Sequence, residues 1–95
     1  MTTVTVTPHE IVIDGHANYG PEGQDIVCAA ISTLSQALIR SIEDLTDDII
    51  EYDIRPGRVD IKMKDLSDQG RLLIDSFFIG ICQVATAYPD YLQVK

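Results

Sequence analysis

The sequence predicts an α+β fold, a two-layer sandwich in which two long helices pack on a largely antiparallel sheet of about four to five strands, in the order ββαββα(β). Short segments of alternating apolar and polar residues occur at the start and in the middle of the chain, which is typical of strands with one buried face. Two longer segments carry apolar residues at spacings of three and four, which is typical of helices. The 95 residues suffice for one domain, residues 1–95, with a single modest core.

The first two strands are predicted at residues 2–7 and 10–14. Threonine alternates with valine in the first segment, and β-branched residues favour strands. Pro8 and His9 form a tight turn between the two segments, so the strands are expected to be antiparallel neighbours.

Gly15 decides where the side chain of His16 points. If the second strand runs straight through this glycine, His16 shares a face with Asp14, opposite the apolar face of Ile11 and Ile13. Alternatively, Gly15 marks a β-bulge that re-aims the histidine. In both cases His16 lies where the strand ends.

The first long helix is predicted over residues 24–45. Asp25 lies at its start, either as a cap or as a first-turn anion facing the helix dipole. Cys28, Ser32 and Ser35 are spaced four and three apart, so they line one narrow polar face. The opposite, core stripe is expected to contain Val27, Ile31, Leu34, Leu38, Ile42 and Leu45.

A β-hairpin is predicted at residues 48–54 and 58–64, and the proline and glycine of its turn, residues 55–58, suit a type II turn. The second helix, residues 67–87, is apolar around nearly its whole circumference. Such a helix must be covered on more than one side. We therefore expect a homodimer with this helix in or near the interface. Residues 91–95 can add a short edge strand.

Charge and composition narrow the classes of function. Seven Lys and Arg residues stand against 15 Asp and Glu, a net charge of −8. A surface this negative repels phosphate backbones, so a basic partner is favoured and no direct nucleic-acid partner is expected. The two cysteines lack a disulfide or metal-ligand spacing, which indicates reduced thiols and a cytoplasmic location. We expect no signal peptide and no membrane partner, because no apolar run approaches the length needed to span a bilayer.

His16 and Cys28 form the one candidate for chemistry. A helix N-terminus and a neighbouring histidine both favour the thiolate, which is the nucleophile of cysteine chemistry. His16 would take the thiol proton and later protonate a leaving amine. Unpaired backbone N–H groups in the first helical turn would stabilise an oxyanion. Asp25 would cap the helix or orient His16, and the sequence does not choose between these roles.

Structural roles stay open for the same residues on spacing alone. A cysteine flanked by Val27 and Ala29 is often a small buried residue, and a histidine at a strand end is often structural. Cys82 is expected in the core and His9 in solvent. One histidine, one cysteine and scattered carboxylates do not supply the three or four ligands of a zinc site, so we expect no metal and no cofactor.

The connection between His16 and the helix consists of turn-forming residues: Asn18, Tyr19, Gly20, Pro21, Glu22 and Gly23. These residues, 18–23, are called the substrate loop below. They form either an ordinary strand-to-helix connection or a mobile lid that orders on substrate.

Together these segments resemble the signature of the ribosomal-processing cysteine protease family Prp, also called YsxB-like. The histidine motif of that family is similar to Gly15-His16-Ala17, and its cysteine motif is similar to residues 25–30 together with Ser32. The order and spacing of the two motifs also agree, and the overall plan is similar across essentially the full chain.

The resemblance implies a small dimeric cysteine endopeptidase of bacteria or their phages that removes the N-terminal extension of a large-subunit ribosomal protein. Cys28 and His16 fall on the family's catalytic residues, and residues 18–23 on its flexible loop. Gly15, Ala17, Asp25 and Ser32 would support the site. A basic ribosomal protein suits the acidic surface, although a phage relative could process a capsid or scaffold protein. The rival interpretation is a non-catalytic dimeric binding module that acts in ribosome assembly.

Overall fold

The computed structural model describes all 95 residues and places five strands and two helices in the order ββαββαβ. The helices are α1 (Ile26–Leu45) and α2 (Asp68–Ala87). The strands are β1 (Thr2–Val6), β2 (Glu10–Asp14), β3 (Ile50–Arg55), β4 (Arg58–Met63) and β5 (Leu92–Val94). The predicted α+β class and the order of elements are confirmed.

The strands form one sheet in the order β3-β4-β2-β1-β5. Neighbouring strands are antiparallel except β1 and β5, which run parallel. The register places Val4 opposite Ile13 and Ile13 opposite Val59, so apolar side chains of successive strands share one face. That face and the two helices enclose the core.

Most of the predicted core stripe of α1 is buried. Val27, Ile31, Leu38 and Ile42 join the core, together with Ile39, which the prediction had left out. Leu34 is only half-buried, and Leu45 is 70% exposed. The prediction for Leu45 is wrong because this residue ends the helix, where the chain already leaves the core.

Capping side chains set the helix starts. The helix α1 begins two residues later than predicted because Asp25 has an extended backbone and caps it. The helix α2 is capped by the Ser67 hydroxyl, which accepts from the Gly70 N–H at 3.0 Å. The carboxylate of Asp48 in turn accepts from the Ser67 hydroxyl at 2.7 Å, which ties the start of α2 to the segment before β3.

The predicted turns are confirmed. Gly57 has a φ of +72°, as the second central residue of a type II turn requires. In the β1–β2 turn the Thr7 hydroxyl accepts from the N–H groups of His9 and Glu10. His9 is exposed, as expected.

The helix α2 leaves a second apolar stripe uncovered. Leu72, Phe78 and Ile79 are 68%, 38% and 62% exposed. Cys82 is half-buried and lines a shallow surface depression with Phe78 and Ile79. The expectation that Cys82 belongs to the core is wrong, because the buried stripe passes through Ile81 and the next residue is rotated by about 100° around the helix.

Both helices are 20 residues long and apolar enough, by length and composition alone, to cross a membrane. The expectation that no apolar segment approaches that length is therefore wrong. The core helix of a soluble protein passes the same test, and here both helices contribute side chains to the core they share with the sheet.

Candidate active site

Gly15 ends β2 and directs the chain toward the β3–β4 turn. Its φ of +97° favours glycine, and its N–H donates to the Gly57 carbonyl at 2.8 Å. The His16 side chain is exposed and lies against the same turn, since a Cβ built at Gly57 would be 2.7 Å from His16 Nε2. The strand does not run straight through Gly15, so the histidine is re-aimed there. Ala17 then enters the core with 1% exposure, which fixes the chain beyond the histidine.

Cys28 is the third residue of α1, and its side chain is half-buried. It lines two adjoining clefts together with His16, although the two residues are twelve positions apart in the chain. Ser32 and Pro56 also line both clefts. The structure thus brings the predicted histidine, cysteine and supporting serine to one open site.

The first cleft, of about 240 Å³, lies between α1 and the β3–β4 hairpin. Cys28, Ser32 and Ser35 line its helix side, so the predicted polar face of α1 is confirmed. Ser35 is only 2% exposed, and its hydroxyl donates to the Ser32 carbonyl at 3.1 Å. On the hairpin side Ile54 is 48% exposed because β3 is an edge strand at the margin of the helical layer.

Two arginines of the hairpin, Arg55 and Arg58, also line the first cleft, and the sequence reasoning missed them. The Asp60 carboxylate accepts from Arg58 Nε at 3.0 Å and from Arg55 at 3.1 Å, and Arg55 also pairs with Asp53 at 3.0 Å and Arg58 with Asp14 at 3.6 Å. The Arg58 hydrogen bond holds the pKa of the Asp60 carboxyl below its ordinary value. The sequence signal that could have found them is their position on both sides of the Pro-Gly turn, next to the predicted site.

The second cleft, of about 720 Å³, lies between α1 and the substrate loop. Asn18, Gly20, Glu22 and Gly23 line it. The Pro21 carbonyl accepts from the Gln24 N–H at 2.9 Å and closes the turn before α1. Tyr19 instead packs its ring against Tyr88 and Tyr91, which the sequence reasoning had not connected with the site.

Asp25 joins the loop to the helix. Its Oδ1 accepts from the N–H groups of Val27 and Cys28, both at 3.0 Å, and its Oδ2 accepts from those of Tyr19 at 2.8 Å and Gly20 at 3.2 Å. The Cys28 N–H, helped by the two loop N–H groups and against partial burial, holds the pKa of Asp25 below its ordinary value of 3.8. Of the two predicted roles, the structure gives Asp25 that of the cap, and it makes no hydrogen bond to His16.

The same cap changes the expected oxyanion site. The Val27 and Cys28 N–H groups are occupied by Asp25, and the Ala29 N–H donates to the Asp25 carbonyl at 3.0 Å. Only the Ile26 N–H of the first turn donates to no protein atom. The expectation of several unpaired donors is therefore wrong, because the capping carboxylate takes them.

A thiol and an imidazole in an open cleft can carry out acyl transfer, with the thiol as nucleophile and the imidazole as proton carrier. No group of three or more His, Cys, Asp or Glu side chains is arranged to hold a metal ion. Fold and site together define a small α+β cysteine hydrolase.

The chain belongs to a family described as cysteine protease Prp, which matches residues 1–93. A ribosomal processing cysteine protease Prp of Staphylococcus aureus (strain NCTC 8325 / PS 47) is 27% identical over 104 residues, covering 100% of this chain and 98% of the relative. A Mycoplasma genitalium protein of the same name is 23% identical over 95 residues, covering 100% and 95%.

Solved structures agree with this assignment. The S. aureus protease Prp with a covalently linked product peptide superposes with a TM-score of 0.93 at 25% identity, over 100% of this chain and 98% of that one. SMU.848 from Streptococcus mutans superposes with a TM-score of 0.77 at 30% identity, over 99% and 90%. The fold is that of these proteins, and the chain is a cysteine protease.

Proposed function

We propose that this protein is an endopeptidase that removes the N-terminal extension of a large-subunit ribosomal protein. The observation that carries the proposal is the convergence of His16 and Cys28 on the same two clefts, with Cys28 in the first turn of α1. The relatives' name, ribosomal processing cysteine protease, supports the substrate.

In the proposed reaction His16 takes the proton of the Cys28 thiol, and the thiolate attacks the scissile carbonyl carbon. A C–S bond forms while the carbonyl electron pair moves to oxygen. His16 then gives its proton to the leaving amine as the C–N bond breaks, which leaves an acyl-enzyme. Water attacks the acyl carbon, His16 takes the water proton, and the C–S bond breaks to release the new carboxyl group, which loses its proton to solvent. His16 returns its proton to the Cys28 thiolate.

The oxyanion of this reaction needs hydrogen-bond donors near the start of α1. The Ile26 N–H has no intramolecular partner, and the Cys28 N–H is available only when the Asp25 carboxylate yields it. We infer that peptide binding displaces Asp25 from the Cys28 N–H.

A basic substrate is supported by the charge of the protein. The net charge of −8 attracts a cationic chain, and Glu22 of the substrate loop lines the second cleft. A ribosomal substrate also agrees with a cytoplasmic location and with reduced thiols. A phage capsid or scaffold protein is the alternative substrate.

We further propose that the protein works as a homodimer through α2. Leu72, Phe78 and Ile79 are exposed on the side of α2 away from its buried residues Gly70, Ile74, Phe77 and Ile81. A second copy of the same stripe offers a self-complementary apolar cover.

The proposal is tested by incubating the protein with a full-length ribosomal protein that carries its extension and following the products by mass spectrometry. The wild type should make one cut. Cys28→Ala should lose all measurable activity, and His16→Ala should lose about 10²–10⁴-fold, the usual contribution of a general base. His9→Ala is the matched control for His16→Ala, because His9 is exposed in the β1–β2 turn outside both clefts, and it should keep activity within about twofold of the wild type.

Equal cleavage by the wild type and Cys28→Ala would overturn the assignment of the nucleophile. Binding without cleavage would favour the non-catalytic binding module. Cleavage of a capsid or scaffold protein alone would leave the chemistry intact and replace the substrate.

A further inference from the structure

Three tyrosines that lie far apart in the sequence meet beside the active site. We propose that Tyr88 and Tyr91 are positioning residues that hold the substrate loop in place through the ring of Tyr19. This inference deepens the proposed endopeptidase function and rests on it. It assigns a role in peptide binding to the segment between α2 and β5, which contributes no residue to either cleft.

The ring of Tyr19 packs against the rings of both Tyr88 and Tyr91. The Tyr19 ring centroid lies 5.3 Å from that of Tyr88, with an interplanar angle of 76°, and 5.0 Å from that of Tyr91, with an angle of 81°. Both arrangements are edge-to-face, which the ring quadrupoles favour over a face-to-face sandwich. The contacts involve rings, so a phenylalanine at any of the three positions preserves them.

Tyr88 and Tyr91 form a fixed platform. The Tyr88 N–H donates to the Val84 carbonyl at 2.9 Å at the end of α2, and the Tyr91 N–H donates to the Tyr88 carbonyl at 3.0 Å. The Tyr91 carbonyl accepts from the Thr2 N–H at 3.0 Å, which joins the platform to β1. Both side chains are half-buried and pack against the core.

The loop is therefore held at Tyr19 from two directions. The ring rests on the platform, while the backbone N–H groups of Tyr19 and Gly20 donate to the Asp25 carboxylate. Farther along the loop the contacts are fewer: the Gln24 N–H donates to the Pro21 carbonyl at 2.9 Å, and the side chain of Glu22 is exposed. The contacts of Tyr19 thus keep Asn18 and Gly20 at the wall of the second cleft, where Glu22 also faces an incoming peptide.

Two measurements test the inference, amide hydrogen exchange at Tyr19 and Gly20 and steady-state cleavage of the substrate. In Tyr19→Ala and Tyr88→Ala we expect about tenfold faster exchange and a KM raised roughly three- to tenfold, with kcat within about twofold of the wild type. The double variant should be no worse than Tyr19→Ala, because that variant already removes the ring contacts with both Tyr88 and Tyr91. Tyr88→Phe and Tyr91→Phe should behave as the wild type.

Tyr52→Ala is the matched control. It removes the fourth tyrosine, which is 46% exposed on β3 and lines neither cleft, and it should change neither readout. Unchanged exchange in both Tyr19→Ala and Tyr88→Ala would overturn the inference. Phenylalanine variants as impaired as the alanine variants, or equal effects in Tyr52→Ala, would do the same. If the wild type cleaves nothing, the proposed function fails, and the exchange measurement still decides whether the platform holds the loop.

Discussion

At position 57 two requirements coincide that only glycine meets. The backbone φ of +72° lies in the left-handed region, and the space above the Cα is filled by the His16 imidazole. Gly57 also accepts from the Gly15 N–H, so the turn positions the histidine through both its backbone and its missing side chain.

Gly57→Ala should therefore damage activity more than stability. The positive φ costs about 1–2 kcal/mol in the free energy of unfolding, measured by urea denaturation. The new methyl group must also displace the imidazole, which should lower kcat/KM by about tenfold or more, since small misplacements of reacting groups cost up to about 10²-fold. The His16 ring resonances in an NMR spectrum should shift.

Gly23→Ala provides the comparison for backbone strain alone, because Gly23 has a φ of +82° and open space where the methyl group would lie. It should cost a similar amount of stability and leave the His16 resonances in place. Unshifted His16 resonances in Gly57→Ala would contradict the role given to this glycine.

At the scale of the element, the Asp25 carboxylate binds both the start of α1 and the substrate loop. One oxygen of Asp25 caps the helix and the other tethers the substrate loop. Hydrogen bonds to the ionised form lower the pKa of Asp25 in the folded state, so ionised Asp25 adds stability above its ordinary pKa of 3.8. This contribution is lost as the pH falls through the lower folded value.

Asp25→Asn should keep the helix cap but weaken the contact with the substrate loop. Asparagine is a good helix cap, but its single carbonyl oxygen cannot serve both the helix and the loop. We expect little change in helix content by circular dichroism, faster amide exchange at Tyr19 and Gly20, and a flatter dependence of unfolding free energy on pH below about 4. Asp47→Asn, at an exposed carboxylate with no hydrogen bond, should reproduce the wild-type curve. Identical curves for Asp25→Asn and the wild type would contradict this account.

The sequence predicted the elements of this fold well because their signals are local. Spacings of three and four located both helices, alternation located the strands, and the Pro-Gly pair located the hairpin turn. The hydrogen bonds of Asp25 Oδ2 with the substrate loop could not be predicted, because they depend on the three-dimensional position of the loop. Two further features join segments that are distant in the sequence: the contact of Gly57 with His16, and the cluster of three tyrosines. Local sequence patterns do not predict such contacts.

At the scale of the whole molecule, the uncovered stripe of α2 predicts self-association. Ile79→Asp should weaken the proposed dimer about 100-fold or more, because each of the two copies loses an isoleucine worth about 1.5–3 kcal/mol when buried and gains the penalty of a buried carboxylate. Sedimentation velocity across micromolar concentrations measures the shift. Ile49→Asp, at a residue 84% exposed outside α2, should leave the dimer unchanged. A wild type that is a monodisperse monomer at these concentrations would refute the interface.

The parallel pairing of β1 with β5 also separates the two chain ends. The beginning of β1 lies beside the cleft, since the Thr2 hydroxyl donates to the Gly15 carbonyl at 3.4 Å and Thr2 lines the first cleft. The opposite end of the sheet receives Lys95, whose carbonyl accepts from the Val6 N–H at 3.4 Å. A purification tag or fluorophore fused after residue 95 would thus point away from an incoming peptide, whereas one fused before residue 1 would crowd its entrance.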